Sequence, residues 1–157
     1  DWLPAAYQDG NHIEARAHMM AAAAMGATAF QKGLGAIHSL SHPVGAVFDT
    51  HHGLTNAVFT PYVLVFNRTA IEDKMTLLGR FIGLKKPSFQ AVLDWTLKLR
   101  REFNIVHTAA ELGVDPDRLD DISEMAAKDP TAPTNPVPAG VTEMRGILNA
   151  AMEGRVG

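Results

Sequence analysis

Gly33-Leu34-Gly35-Ala36-Ile37-His38-Ser39-Leu40-Ser41-His42-Pro43, continued by Gly45-Ala46 and by His52-Gly53 with Asn56-Ala57, sets four histidines in a mostly apolar stretch. The four are His38, His42, His51 and His52. Gly33-Leu34-Gly35 reads as a break. Residues 36–41 read as a short helix that stops near Pro43, whose ring disfavours a continuing helix. Residues 44–50 read as a loop. His52-Gly53 opens a second helix, to about Phe66, bent or restarted at Pro61. His38 and His42 are four apart, so on a helix both rings project from one face. A helix–loop–helix can bring His52 to the same place. Two or three imidazoles approaching one point suit a divalent metal. The competing reading is a surface or hydrogen-bonded pair. Leu34, Ile37, Leu40, Val44, Val47 and Phe48 surround these residues, and an imidazole in apolar surroundings costs free energy unless its nitrogens find partners. Asp49 is the only nearby carboxylate, so a cation is expected to draw its carboxylate from elsewhere.

Outward from this stretch the patterns stay helical. Residues 12–32 are rich in Ala, Met, Glu and Arg, which are good helix formers. Residues 19–24 are apolar on every side, which predicts an interior position. Residues 1–11 read as an extended lead-in or a frayed helix end. Ile71, Met75, Leu78 and Ile82 form a 4-3-4 stripe. Ser88 is a candidate N-cap, with Phe89, Val92, Leu93, Leu97 and Phe103 inward. Leu112-Gly113 is a helix stop, and Asp115-Pro116 opens a helix to about Ala127. A loop over residues 129–138 holds Pro130, Pro133, Pro136 and Pro138, and residues 142–153 close the chain as a helix. The expected fold is all-α, a bundle of about seven helices.

Composition narrows the function. The chain has 157 residues, enough for one domain with a core. Its formal net charge is −3 and it has no dense Lys/Arg cluster, which argues against a nucleic-acid footprint. The absence of cysteine excludes disulfide scaffolds, thiol catalysis and thiolate zinc sites, and fits a reducing compartment such as the cytoplasm. The apolar run over residues 19–30 is too short to span a membrane, which takes about 20 residues. Asp1 in place of an initiator Met is expected of a processed chain or a piece of a longer polypeptide.

The quoted stretch resembles the signature of the iron-containing (group III) alcohol dehydrogenase family. That signature has Gly-Leu-Gly, a His-x-x-x-His pair, an apolar Gly-Ala run, and a His-Gly opening a helix with Asn-Ala. The step of 14 residues from His38 to His52 is part of the match. Asn135-Pro136 before the last helix adds weaker support. The resemblance implies the helical, dehydroquinate synthase-like C-terminal domain of the family over residues 1–157. It implies that His38 and His52 are metal ligands, and that His42 lies beside the metal and the nicotinamide and helps proton transfer. The family's other two ligands, an Asp and a His on one helix, precede the signature by many residues. Neither Asp9 with His12 nor His12 with His18 matches that motif. His51 stands where the family often has Pro and is expected to face solvent.

The implied cofactors are a divalent metal, Fe²⁺ first with Zn²⁺, Mn²⁺ or Co²⁺ compatible, and NAD or NADP. The nicotinamide cofactor is implied to bind mainly to an N-terminal dinucleotide-binding domain absent from this chain, since Gly33-Leu34-Gly35 is only GxG and no strand precedes it. The implied partners are a small alcohol or aldehyde, the missing N-terminal domain, and further copies of the chain, because a face without its partner domain favours self-association. The chain alone is expected to be inactive. Two other readings stand beside this one. One is a maleylacetate-reductase-like oxidoreductase domain; the other is a non-catalytic helical interaction module. Phe30, Leu40 and Phe48 are candidates for an alcohol pocket, each read first as core.

Overall fold

The computed structural model describes residues 1–157. The chain is all-helical, with seven α-helices and four short 3₁₀ turns. It divides into two compact units, Asp1–Gly33 and Leu34–Gly157.

The first unit holds α1 (Trp2–Gln8), α2 (Ile13–Ala29) and a 3₁₀ turn, Phe30–Lys32. The expected extended lead-in is therefore mostly helix. His12 starts α2: its Nδ1 accepts from Ala15 N at 3.2 Å, an N-cap made by an imidazole. The Trp2 ring stacks on His18 at 4.3 Å with 3° between planes. The interior position expected for residues 19–24 is not found, since Met20 and Met25 are each 73% exposed. Within this unit a seven-residue α1 packs on a 17-residue α2, and a helix that short covers one face of its neighbour at most.

The second unit begins with α3 (Gly35–Phe48), which runs straight through Pro43. The expected stop at Pro43 and the expected loop over 44–50 are both overturned. An interior proline costs about 3 kcal/mol. Against that, Ala36, Leu40 and Val44 are all fully buried, and burying a Leu or Val side chain stabilises by about 1.5–3 kcal/mol. Val44 lies beyond the proline, so ending the helix early would forfeit part of that stripe. The helix ends at Asp49, whose φ of 52° is left-handed and whose N–H bonds Gly45 O at 3.0 Å.

The next element, α4 (His52–Phe81), is one helix of 30 residues and passes through Pro61 without a restart. Two expected segments are thus one. Val58, Phe59, Pro61, Tyr62 and Val63 are buried, and α4 packs against α3, α5 and the last helix, so packing again outweighs the lost hydrogen bond. Ser88 caps α5 (Phe89–Glu102) as expected, its Oγ accepting from Ala91 N at 3.1 Å. Gly113, at φ 87°, ends a 3₁₀ turn, Ala110–Leu112. Asp115 caps the turn Pro116–Arg118 that leads into α6 (Leu119–Lys128). A proline-rich loop with a turn at Ala132–Thr134 then enters α7 (Val141–Glu153).

One core joins α3, α4, α6 and α7 through Leu40, Val44, Phe59, Ile122, Met144 and Leu148. A smaller one, built on Met75, Phe89, Val92 and Leu93, joins the second half of α4 to α5. Leu40 is therefore core. No helix is long and apolar enough to cross a membrane.

Candidate metal centre

His38 and His42 project from one face of α3, and the three-residue turn after α3 folds the start of α4 back beside them. Their ring centroids are 5.7 Å apart. His52, the first residue of α4, lies 5.2 Å from His38 and 5.6 Å from His42, the latter nearly parallel at 15°. The turn is fixed locally. Thr55, fully buried, sets its hydroxyl 2.8 Å from Thr50 Oγ1 and 3.0 Å from His51 O. His51 Nδ1 accepts from Leu54 N at 3.2 Å, so this residue caps α4 and is exposed, as expected.

Asn56 lies one turn into α4 from His52. Its Nδ2 is 3.0 Å from His52 Nε2 and 3.3 Å from His38 Nε2. An amide NH₂ has two protons to give. Donating one to each ring requires both Nε2 atoms to be bare lone pairs, the form in which imidazole ligates a metal. Burial first, then the neighbouring His52 and His42, hold the His38 imidazole below its usual pKa, against the opposing effect of a hydrogen bond with the Leu34 backbone. His38 is thus biased to the neutral, ligating form. Asn56 Oδ1 is buried without a hydrogen-bond partner. No three His, Cys, Asp or Glu side chains in this chain are grouped to hold a metal. The two convergent imidazoles fit one side of a four-ligand site for a first-row divalent ion, which needs further donors.

Asp129 is the carboxylate at this cluster, and its position in the proline-rich loop hid it from the sequence reading. Its Oδ2 is 2.9 Å from His42 Nδ1. Its Oδ1 accepts from Thr131 N at 2.8 Å and from Thr131 Oγ1 at 2.6 Å. Burial pushes the Asp129 carboxyl up, but Thr131 and His42 together outweigh it and hold the group below the usual carboxylate range. An ionised Asp129 accepts the His42 Nδ1 proton and leaves Nε2 as the lone pair. The His42 side chain is 41% exposed against 10% for Asp129.

The same loop holds the N-terminus of α3. Ala36 N donates to Asn135 Oδ1 at 3.1 Å, Gly35 N donates to Thr134 Oγ1 at 3.0 Å, and Ser39 Oγ lies 2.9 Å from Thr131 Oγ1. Asn67 of α4 completes the tie: its Nδ2 donates to Asn135 Oδ1 at 3.0 Å, and Asn135 Nδ2 donates back to Asn67 Oδ1 at 2.7 Å. A Cβ on Gly35 would sit 3.0 Å from Asn135 Oδ1 at φ +65°, so glycine is required there twice over. The Gly-Leu-Gly and Asn-Pro elements of the sequence, 99 residues apart, thus meet in one hydrogen-bonded joint.

The three expected site residues therefore come together, while the other histidines do not join them. His12 caps α2, His18 stacks on Trp2, and His107 bonds Gly154 O at 3.1 Å through Nε2. His107 lies in a turn, where its backbone N–H donates to Glu111 Oε2 at 3.0 Å. The sequence reading missed Asp129, Thr131 and Asn67. The only signal for Asp129 and Thr131 was Asp-x-Thr, a pattern that closes side-chain-to-backbone turns; nothing local marked Asn67.

The family described as "Fe-containing alcohol dehydrogenase family, C-terminal" matches residues 1–152. The chain is 37% identical over 158 residues to a 4-hydroxybutyrate dehydrogenase of Cupriavidus necator, covering 94% of this chain and 40% of that protein. It is 31% identical to an NAD-dependent methanol dehydrogenase of Bacillus methanolicus, covering 97% of this chain and 42% of that one. It therefore spans about two fifths of the length of these relatives. Among solved structures it superimposes on a 1,3-propanediol oxidoreductase with TM-score 0.90 and 27% identity, covering 96% of this chain and 41% of that one. On the maleylacetate reductase of Rhizobium sp. strain MTP-10005 the TM-score is 0.63 at 27% identity, covering 80% of this chain and 33% of that one.

Proposed function

The chain belongs to the Fe-containing alcohol dehydrogenase family, as a C-terminal part, and from that premise we propose that it supplies one side of the catalytic metal site of an NAD(P)-dependent alcohol or aldehyde oxidoreductase. The observation that carries this reading is the convergence of His38 Nε2 and His52 Nε2 on Asn56 Nδ2. His38 and His52 are the proposed ligands. The other donors, and the dinucleotide site, are proposed to lie on a part of the enzyme outside these residues.

When bound, a divalent ion acidifies an alcohol as a Lewis acid and a nicotinamide takes up the hydride. The chain's own residues have three tasks beside that chemistry. His38 and His52 present neutral Nε2 lone pairs from two helices. Asn56 orients both rings. His42, held at Nδ1 by Asp129, keeps Nε2 open to accept the substrate hydroxyl proton or return it, and its exposure gives that proton a route to solvent. Fe²⁺ is the first metal proposed, with Zn²⁺ second, since a shell without thiolate admits either.

The closer superposition on the propanediol oxidoreductase than on the maleylacetate reductase supports small alcohols and aldehydes as the substrate class. With two of four donors, the chain alone is proposed to bind metal weakly and to be inactive. Equilibrium dialysis with Fe²⁺ under anaerobic conditions, or with Zn²⁺, tests the ligand assignment. Binding is expected to fall at least tenfold in His38→Ala and in His52→Ala. Unchanged affinity in both variants would overturn it. Alcohol oxidation by the chain with NAD⁺ alone would overturn the incomplete-site reading.

A further inference from the structure

The Asn56 amide is held from one end only. Its Nδ2 is 3.0 Å from His52 Nε2 and 3.3 Å from His38 Nε2. It meets these two rings and not His42, whose bond runs from Nδ1 to Asp129. Its Oδ1 is buried with no hydrogen-bond partner. Thr60 Oγ1 donates to the Asn56 backbone carbonyl at 2.7 Å, which fixes the main chain and not the amide.

A neutral imidazole has one lone pair in the plane of its ring, on the nitrogen that carries no proton. A hydrogen bond from Asn56 and a bond to a metal ion both need that pair. The Nε2 pairs of His38 and His52 are committed to the same amide, so an ion that takes both rings has to break both bonds. Because Oδ1 has no partner, turning the amide away breaks no other hydrogen bond. A cation also repels the positive end of the amide dipole that faces it. His52 is exposed, so an ion reaches the lone pairs from solvent.

We propose that Asn56 is a placeholder for the metal. Its amide holds the His38 and His52 rings in their neutral form while the site is empty, and a divalent ion displaces it on binding. The inference rests on the ligand reading above and adds to it a sign for Asn56. A residue that only orients the rings strengthens metal binding, because rings already in place lose less freedom when the ion arrives. A placeholder weakens metal binding, because its own bonds are broken first.

The test is a Zn²⁺ titration of the ¹⁵N-labelled chain by NMR. The readouts are the His38 and His52 ring nitrogens and the coupling across the hydrogen bond between Asn56 Nδ2 and His52 Nε2. Zn²⁺ is expected to shift both ring nitrogens and to abolish that coupling in step. Asn56→Leu, similar in size but without the two N–H donors, is expected to bind Zn²⁺ about tenfold more tightly than the unaltered chain. Equal or weaker binding in Asn56→Leu overturns the placeholder and leaves the ligands standing. So does a coupling that is absent from the metal-free chain, or one that persists once both rings have shifted. Ring nitrogens that do not respond to Zn²⁺ overturn the ligand reading and the placeholder together. The coupling is read in the unaltered chain, so it decides by itself if Asn56→Leu fails to fold.

Discussion

Asp129 Oδ2 meets His42 Nδ1 at 2.9 Å across 87 residues of sequence. The contact ties the proline-rich loop to the histidine face of α3. It also fixes which nitrogen of His42 carries a proton, which an isolated surface histidine does not do. Because Thr131 clamps the other carboxylate oxygen with two bonds of 2.8 and 2.6 Å, Asp129 has little freedom to turn away.

Replacing Asp129 with Asn removes the charge-assisted bond and should destabilise the chain at neutral pH by about 1–3 kcal/mol. The pH dependence has a definite sign. The native carboxyl sits below its ordinary value, so its contribution is present above the unfolded pKa near 4 and is lost as pH falls through the native one. Urea midpoints of the chain and Asp129→Asn should therefore differ at pH 7 and converge toward pH 2–3. A constant gap would contradict the assignment.

His38 gives a slope of the same sign at higher pH, from a different cause, burial of the imidazole. Its folded pKa lies below 6.5, so between the two values the unfolded chain binds more protons and stability rises with pH. The metal-free chain should lose stability as pH falls below about 6.5, with the loss levelling off below the folded pKa. His38→Gln should flatten that slope. Denaturation midpoints at pH 7.5, 6 and 5 measure it, and parallel curves for chain and variant would refute it.

Two glycines on the same helix should respond with opposite signs. Gly35→Ala places a Cβ at 3.0 Å from Asn135 Oδ1 in a left-handed conformation and should cost about 1–3 kcal/mol. Gly45→Ala, where the nearest neighbour is Thr50 O at 3.7 Å, should be neutral or stabilise by up to about 1 kcal/mol, the ordinary helix preference for alanine. Thermal melts of the two variants rank them directly; a destabilised Gly45→Ala would show that α3 is more crowded there than its contacts indicate.

Asn67→Ala leaves Asn135 Nδ2 with only Val137 O, at 2.7 Å, in place of two partners. An unsatisfied buried amide costs about 1–3 kcal/mol, and the loop it supports carries Asp129. The variant should lose stability and also loosen His42, visible as faster amide exchange across residues 129–135. A stability loss with unaltered exchange in that loop would mean that Asn67 supports α4 alone.

The helical class, the Ser88, Asp115 and Gly113 boundaries and the shared face of His38 and His42 were legible because they depend on contacts within a few residues, whereas His52, 14 residues from His38, was marked by the family signature. Caps act over three positions, and a helix face is set by spacing alone. Pro43 and Pro61 misled the reading for a related reason. Locally each is a breaker, but Leu40 and Val44 on α3, and Phe59 and Tyr62 on α4, bury enough apolar surface against distant helices to carry the chain through. Residues 19–24 misled in the other direction, because an apolar run states that a covering partner is needed, not that this stretch of chain contains one.

By itself the sequence determined which side chains could act as neutral nitrogen donors and the helix face from which two of them project, since residue type and a spacing of four leave little else open. Only the tertiary structure decided that Asp129 holds His42, that Asn56 stands between His38 and His52, and that Asn135 joins the start of α3 to Asn67. Each is a hydrogen bond of about 3 Å, and with a reach that short a partner is chosen by how the helices pack, whatever the separation along the chain.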